Sequence, residues 1–173
     1  KAGARVLLVE DEPDIRRMVR SALEQAGYRV SEAWTVSGAL IAAADCLPEL
    51  VLLDLGLPDG DGVRFITEFR VWSQRPVLVL SARNTEGARI AALDAGAWKI
   101  IAKPIEPQHL LQLVKEAMDR PLVMIIDDDP DLCDTLWDLF HENGFRACIA
   151  KSVDEAGQRL RDTHLQVALI DLR

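Results

Sequence analysis

Four apolar, strand-like runs of this sequence are followed by polar side chains suited to metal and phosphoryl chemistry. The residues concerned are Glu10, Asp11, Asp54, Ser81 and Lys103. Carboxylate oxygens are ligands that Mg2+ prefers, and a carboxylate can also attack phosphorus to form an acyl phosphate. A lysine ammonium and a serine hydroxyl can each bind a phosphoryl oxygen. Brought together, these side chains would bind a divalent cation and accept a phosphoryl group.

The apolar pattern places these side chains at one edge of a sheet. The run at 5–9 is a short apolar strand run, and the runs at 51–53 and 77–80 are apolar on both faces, which is typical of strands buried in a parallel sheet. A further strand at 98–102 would end next to Lys103. Helical periodicity lies between the strands, beginning at Pro13 and then at roughly 35–45, 61–71, 84–95 and 106–118. The alternation predicts a (βα)5 α/β fold, in which ligands bind at the carboxyl ends of the strands.

The beginning of the chain recurs in its second half. The stretch 6–14 returns as 123–131, so that each residue has a counterpart 117 positions later, without a gap. We therefore expect one complete unit at 1–119 and the first half of a second unit, βαβαβ, at 120–173.

The second unit repeats only part of the acidic site. Its carboxylates are Asp127, Asp128 and, in the place of Asp54, Asp171. Because nothing in that unit supplies the serine or the lysine, we expect it to bind a divalent ion at best. Its strand at 167–171 would lie at an open sheet edge. We expect a second chain, the first unit or further residues to cover that edge.

The composition is that of a globular protein and excludes several functions. Of the 173 residues, 49% are hydrophobic and 28% are charged. A net charge of -8 argues against a nucleic-acid partner. No apolar run approaches the ~18 residues that a membrane span needs. The cysteines, Cys46, Cys133 and Cys148, form no CxxC pair and indicate a reducing, cytoplasmic location.

Four motifs contain the site residues: LVEDEP at 8–13, LDLGLPDGDG at 53–62, VLSAR at 79–83 and KP at 103–104. Together they resemble the receiver domain of bacterial two-component response regulators. Up to about Gly96 the sequence is most similar to the winged-helix-linked class, KdpE-like regulators in particular. The resemblance implies a doubly wound, flavodoxin-like sheet with strand order 2-1-3-4-5.

The resemblance also implies a metal site. Asp54 would be the phosphoacceptor and a ligand of Mg2+, Asp11 a direct ligand, and Glu10 a ligand through water. The carbonyl group of Gly56 would complete the protein's share of the coordination.

The phosphoryl group would be bound by Ser81 and Lys103 and would come from a histidine kinase or a phosphotransfer protein. The chain would then be a phosphorelay receiver, modifying itself rather than turning over an external substrate. No partner nucleic acid or membrane is implied.

Two positions depart from the family's pattern. Ile100 replaces the aromatic residue that precedes the lysine by three positions, which removes the family's usual signalling side chain. Trp98 and Lys99 replace an acidic pair, so we do not carry over the dimer face of the class. A homodimer, or packing through the second unit, stays open. We expect Trp98 either in the core or, as we favour, in a contact with the second unit.

Two other functions fit the same residues. With Ile100, the fold could serve as a scaffold that binds partners independently of phosphorylation. A magnesium-dependent phosphatase would also use Asp54, but the DLG sequence at 54–56 lacks the second aspartate of the DxD phosphatases.

Overall fold

The computed structural model describes residues 3–82, 86–160, 165 and 167–171. The chain divides into two compact units. Unit 1 comprises Lys1–Val71 and Arg75–Met118, and unit 2 comprises Trp72–Gln74 and Asp119–Arg173. Within the described ranges, no helix has the length and apolar character needed to cross a bilayer.

Strands and helices alternate along the described part of unit 1. The strands are β1 (Arg5–Val9), β2 (Arg29–Ala33), β3 (Leu50–Asp54), β4 (Val77–Ser81) and β5 (Lys99–Ala102). The helices are α1 (Pro13–Gln25), α2 (Val36–Cys46), α3 (Gly62–Arg70), α4 (Glu86–Asp94) and α5 (Pro107–Asp119). This is the predicted (βα)5 pattern, with β5 beginning at Lys99 rather than Trp98.

The five strands form one parallel sheet in the order β2-β1-β3-β4-β5, which confirms the order 2-1-3-4-5. Every residue of β3 and β4 is buried. The chain moves from β1 to β2 on one side and then returns to β3 on the other side. This reversal opens a crevice at the carboxyl ends of β1 and β3, where α/β sheets bind ligands.

Trp98 precedes β5 and packs against the main core cluster of unit 1, in which Leu80 and Val114 are fully buried. The Lys99 ammonium lies 5.5 Å from the centroid of the Trp98 ring. This packing fits the core alternative for Trp98, and the contact with the second unit that we favoured from the sequence stays a prediction.

The loop after β3 contains a short ribbon that the sequence did not predict. Gly56–Leu57 pairs antiparallel with Gly60–Asp61. Between them, the Asp59 carboxylate accepts hydrogen bonds from the Val36 and Ser37 amides, at 2.6 and 3.0 Å. The hydrogen bonds from Ser37 and Val36 lower the pKa of Asp59. The loop that follows the phosphoacceptor candidate is thus fastened to the first turn of α2.

Unit 2 contains β6 (Leu122–Ile126), α6 (Pro130–Glu142), β7 (Arg146–Ala150), α7 (Val153–Leu160) and β8 (Val167–Ile170). Its strands form a parallel sheet in the order β8-β6-β7. The register repeats that of unit 1: Val6 pairs with Leu50, and Val123, 117 positions later, pairs with Val167. The predicted βαβαβ topology is present.

The strand β8 differs from its counterpart β3 in exposure. All four residues of β8 are exposed, among them the apolar Val167, Leu169 and Ile170. β3 lies between β1 and β4, whereas β8 is the outermost strand of the described sheet. What covers this open edge stays a prediction.

Candidate functional site

The acidic pair directly follows β1. The Glu10 amide donates to the Ala33 carbonyl oxygen (3.0 Å), which extends the pairing with β2 by one step. The Glu10 side chain is completely buried, and its Oε1 accepts a hydrogen bond from the Glu12 amide (3.1 Å). Asp11, the next residue, is half-buried. Glu10 is therefore fixed beneath the site, while Asp11 remains accessible to solvent.

Asp54 is the last residue of β3 and is largely buried. Its Oδ1 accepts a hydrogen bond from the Gly56 amide at 3.2 Å. This local bond orients the carboxylate and leaves lone pairs on both oxygens for other partners.

Lys103 contacts residues at the carboxyl ends of three strands, β1, β3 and β4. Its Nζ lies 2.8 Å from Glu10 Oε2, 3.3 Å from Asp54 Oδ2 and 3.6 Å from Glu12 Oε1. Its backbone amide donates to the Ser81 carbonyl oxygen at 3.0 Å. With its side chain only 8% exposed, the ammonium is a nearly buried cation among carboxylates.

Burial and charge oppose each other at Glu10 and Lys103. Burial is the larger influence on Glu10 and raises its pKa, although the Lys103 ammonium acts in the opposite direction. Burial disfavours the charged form of Lys103, but the Glu10 and Asp54 carboxylates outweigh it, and the pKa of Lys103 is raised. Lys103 is therefore a permanent positive charge beside Asp54 at neutral pH.

Ser81 is the last residue of β4 and is buried at the same edge of the sheet. It comes one residue after Leu80, which pairs in register with Asp54. The structure thus brings the predicted hydroxyl to the strand next to the predicted acceptor. Arg83, the last residue of the VLSAR motif, lies outside the described residues.

The carboxylates of Glu10, Asp11 and Asp54 fit a magnesium ion. Each offers one oxygen, and the three oxygens lie within 4.8 Å of one another. A set of hard oxygen donors suits Mg2+, which keeps several waters beside one or two carboxylates.

Unit 2 contains a second cluster of carboxylates. Asp127, Asp128 and Asp171 offer oxygens that also lie within 4.8 Å of one another. Asp127 Oδ1 accepts from the Asp129 amide at 2.8 Å, in the manner of Glu10 and Glu12 in unit 1. The repeat therefore extends to the local geometry of the acidic turn, which is residues 10–12 in unit 1 and residues 127–129 in unit 2.

A family match covers most of unit 1. The family described as the response regulator receiver domain matches residues 6–115. The chain belongs to this family. The expectation from the sequence motifs is thereby confirmed, and unit 1 is a receiver domain.

Curated relatives of this receiver domain are transcriptional regulators. The chain is 49% identical to the KDP operon regulator KdpE of Escherichia coli over 135 residues, which are 73% of this chain and 60% of that protein. It is 44% identical to KdpE of Mycobacterium tuberculosis over 115 residues, 66% of this chain and 51% of that protein. The KdpE-like resemblance is confirmed. The chain spans 51% to 60% of the length of these relatives.

Solved receiver structures share the fold. A CheY-like receiver from Methanospirillum hungatei has a TM-score of 0.66 at 28% identity, covering 68% of this chain and 95% of that one. The receiver domain of a Pseudomonas aeruginosa sensor histidine kinase, with a magnesium ion coordinated in its active site cleft, has a TM-score of 0.63 at 29% identity. That match covers 68% of this chain and 98% of that chain.

Gly62, the first residue of α3, is important to this receiver site in a way that the sequence did not reveal. A Cβ at Gly62 would lie 2.6 Å from the Asp54 carbonyl oxygen and 2.9 Å from Leu55 Cα. The Gly62 amide also donates to the Leu55 carbonyl oxygen at 3.0 Å. Glycine therefore lets α3 begin directly against the backbone of Asp54 and Leu55. The motif contains Gly62, but only the packing shows why.

The substitution Gly62→Ala should destabilise the receiver domain. The new methyl group can be accommodated only if the Asp54–Leu55 backbone moves, and such overpacking costs about 1–3 kcal/mol. Chemical denaturation measures the loss. The control is Gly87→Ala in α4, where nothing lies within 4 Å of the added Cβ. Equal stabilities of the two variants would contradict the explanation.

Proposed function

We propose that the receiver domain accepts a phosphoryl group on Asp54 from a histidine kinase or a phosphotransfer protein, with Mg2+ as cofactor. Glu10, Asp11, Asp54 and the carbonyl group of Gly56 would hold the ion. The observation that carries the proposal is the joint placement of three carboxylate oxygens within 4.8 Å and the Lys103 ammonium 3.3 Å from Asp54 Oδ2.

The chemistry follows from these positions. An Asp54 oxygen attacks phosphorus, the bond from phosphorus to the donor's nitrogen or oxygen breaks, and an acyl phosphate forms. The Lys103 ammonium binds a phosphoryl oxygen, and the Ser81 hydroxyl donates to another. Magnesium, when bound, neutralises charge on the transferring group. The domain would turn over its own acyl phosphate and no external substrate.

We expect the signal from Asp54 to leave this domain by a route other than the family's aromatic switch. Ile100, half-buried on β5, has no polar edge or ring to turn between the site and the surface. We propose that the change of charge at Asp54 is transmitted through the shift of Lys103 from carboxylate to phosphoryl oxygen. A scaffold function independent of phosphate is the second candidate, and Ile100 is the residue that favours it.

We further propose that residues 120–173 are the amino-terminal half of a second receiver domain, following a complete one at 1–119. Support comes from the shared register and from the cluster Asp127, Asp128 and Asp171. Without counterparts of Ser81 and Lys103, this cluster would bind a divalent ion and transfer phosphate poorly. A cytoplasmic location fits this assignment.

The proposal is tested by the intact mass of the chain after incubation with acetyl phosphate, with Mg2+ or with excess chelator. We expect one added phosphoryl group with Mg2+ and none with chelator, since Lys103 offsets only part of the negative charge that then repels the anionic donor. No adduct in either condition would move the assignment to the scaffold. Continuous hydrolysis of an added phosphoester would move it to a phosphatase.

A further inference from the structure

Arg16, on the first turns of α1, contacts the backbone of the acidic pair. Its Nη1 donates to the carbonyl oxygens of Glu10 at 2.8 Å and of Asp11 at 3.2 Å. We propose that Arg16 is a positioning residue that fixes the direction of the Asp11 carboxylate for the cation. This inference rests on the proposed function.

The two carbonyl groups are those that determine the conformation of Asp11. The Glu10 carbonyl belongs to the peptide unit before the Asp11 Cα, and the Asp11 carbonyl belongs to the unit after it. Because peptide units are planar, fixing both carbonyls fixes φ and ψ of Asp11 and therefore the direction of its Cβ. A single side chain thus sets where the Asp11 carboxylate can reach.

The guanidinium is itself held from the side of β2. Arg16 Nε lies 3.5 Å from Glu32 Oε1, and both side chains are largely buried, at 20% and 24% exposed. The Arg16 Cζ lies 5.5 Å from the centroid of the Trp34 ring, a distance at which a cation is attracted to an aromatic face. Charge and stacking therefore keep the side chain turned back toward the acidic turn.

The helix dipole and a cation bound by Asp11 would both disfavour a positive charge at Arg16. A positive charge on the first turns of a helix faces the positive end of the helix dipole, and it would also repel a cation bound by Asp11. If Arg16 acted only through its charge, removing it would tighten Mg2+ binding. If it acts by holding the two carbonyl groups, removing it must weaken Mg2+ binding. The two effects have opposite signs.

Arg20 provides a matched control on the same helix. Its Nη1 lies 2.7 Å from Glu32 Oε2 and its Nε 2.8 Å from Glu24 Oε1. It shares Glu32 with Arg16 and carries the same charge, but no hydrogen bond joins it to the acidic turn in the described part of the chain. Arg20→Gln therefore removes the charge without removing the contact.

The experiment is calorimetric titration of the full chain with MgCl2. All chains carry Asp128→Asn and Asp171→Asn, so that only the acidic cluster of unit 1 is intact. We expect Arg16→Gln to raise the dissociation constant for Mg2+ about 10-fold or more, as the loss of a ligand-orienting partner does. Arg16→Lys should also weaken binding, because an ammonium does not reproduce the guanidinium fork. Arg20→Gln should leave the constant within about twofold of the parent value.

Two results would overturn this role. A folded Arg16→Gln or Arg16→Lys chain that binds Mg2+ as tightly as the parent, or more tightly, would overturn it and leave the proposed function intact. Circular dichroism verifies folding, and Arg16→Lys keeps the test valid if Arg16→Gln does not fold. A parent chain that binds no Mg2+ would overturn the proposed metal site and this role together.

Discussion

The Asp54→Asn chain is expected to gain no phosphoryl group under conditions that modify the wild-type chain. Asparagine has the size of aspartate, and its Oδ1 can still accept the hydrogen bond from the Gly56 amide. It loses the negative oxygen that attacks phosphorus. The fold should therefore survive while the adduct disappears, and intact mass spectrometry after incubation with acetyl phosphate and Mg2+ measures the difference.

The repeat supplies the control for this experiment. Asp171→Asn removes the counterpart carboxylate in unit 2 and should leave the adduct of the wild-type chain unchanged. An adduct that survives in Asp54→Asn but is lost in Asp171→Asn would assign phosphorylation to unit 2. That outcome would contradict the proposed role of Lys103, whose ammonium lies beside Asp54.

The arrangement of the site could be predicted because it follows from topology. Once the apolar runs are recognised as strands of a parallel sheet, their carboxyl ends must meet at one edge. Asp54 ends β3 and Lys103 follows β5, so two side chains 49 positions apart in the sequence have charged atoms 3.3 Å apart. The gapless repeat likewise predicted the βαβαβ topology of unit 2, and the observed register follows the same apolar pattern.

Features that depend on side-chain packing could not be predicted in this way. The backbone contacts of Arg16 and the close approach at Gly62 depend on how helices are placed against loops, which periodicity does not determine. Trp98 shows the same limit. The sequence left Trp98 open between the core and a contact with the second unit, and only the structure shows that its ring packs against the core cluster of unit 1. The ribbon at 56–61 is too short to produce an alternating pattern.

The substitution Lys103→Met is expected to have two large effects, one on rate and one on stability. Methionine keeps an unbranched side chain but removes the cation proposed to bind the phosphoryl oxygen, so phosphorylation should slow by about 10²-fold or more. It also leaves the completely buried Glu10 without its ammonium partner, 2.8 Å away in the wild type. Breaking a buried pair on one side costs about 3–5 kcal/mol.

The stability loss should depend on pH in a defined direction. Burial already raises the pKa of Glu10 above its ordinary value of 4.5, and removing Lys103 takes away an influence that lowers it. A carboxyl group whose pKa is raised by folding destabilises the folded state once it must ionise there. In metal-free buffer, the loss in free energy of unfolding caused by Lys103→Met should therefore be small below pH 4.5. It should grow as the pH rises through the raised pKa of Glu10.

Urea denaturation with chelator present, at several pH values, measures this deficit. Lys99→Met removes an exposed lysine four residues earlier and should be nearly neutral at every pH. Combining Lys103→Met with Glu10→Gln should remove the part of the pH dependence that comes from Glu10, because the amide replaces that titrating group. A deficit that is constant with pH, or that persists unchanged in the double variant, would show that Lys103 stabilises the fold through contacts other than Glu10. The phosphoryl-binding role would then rest on the rate alone.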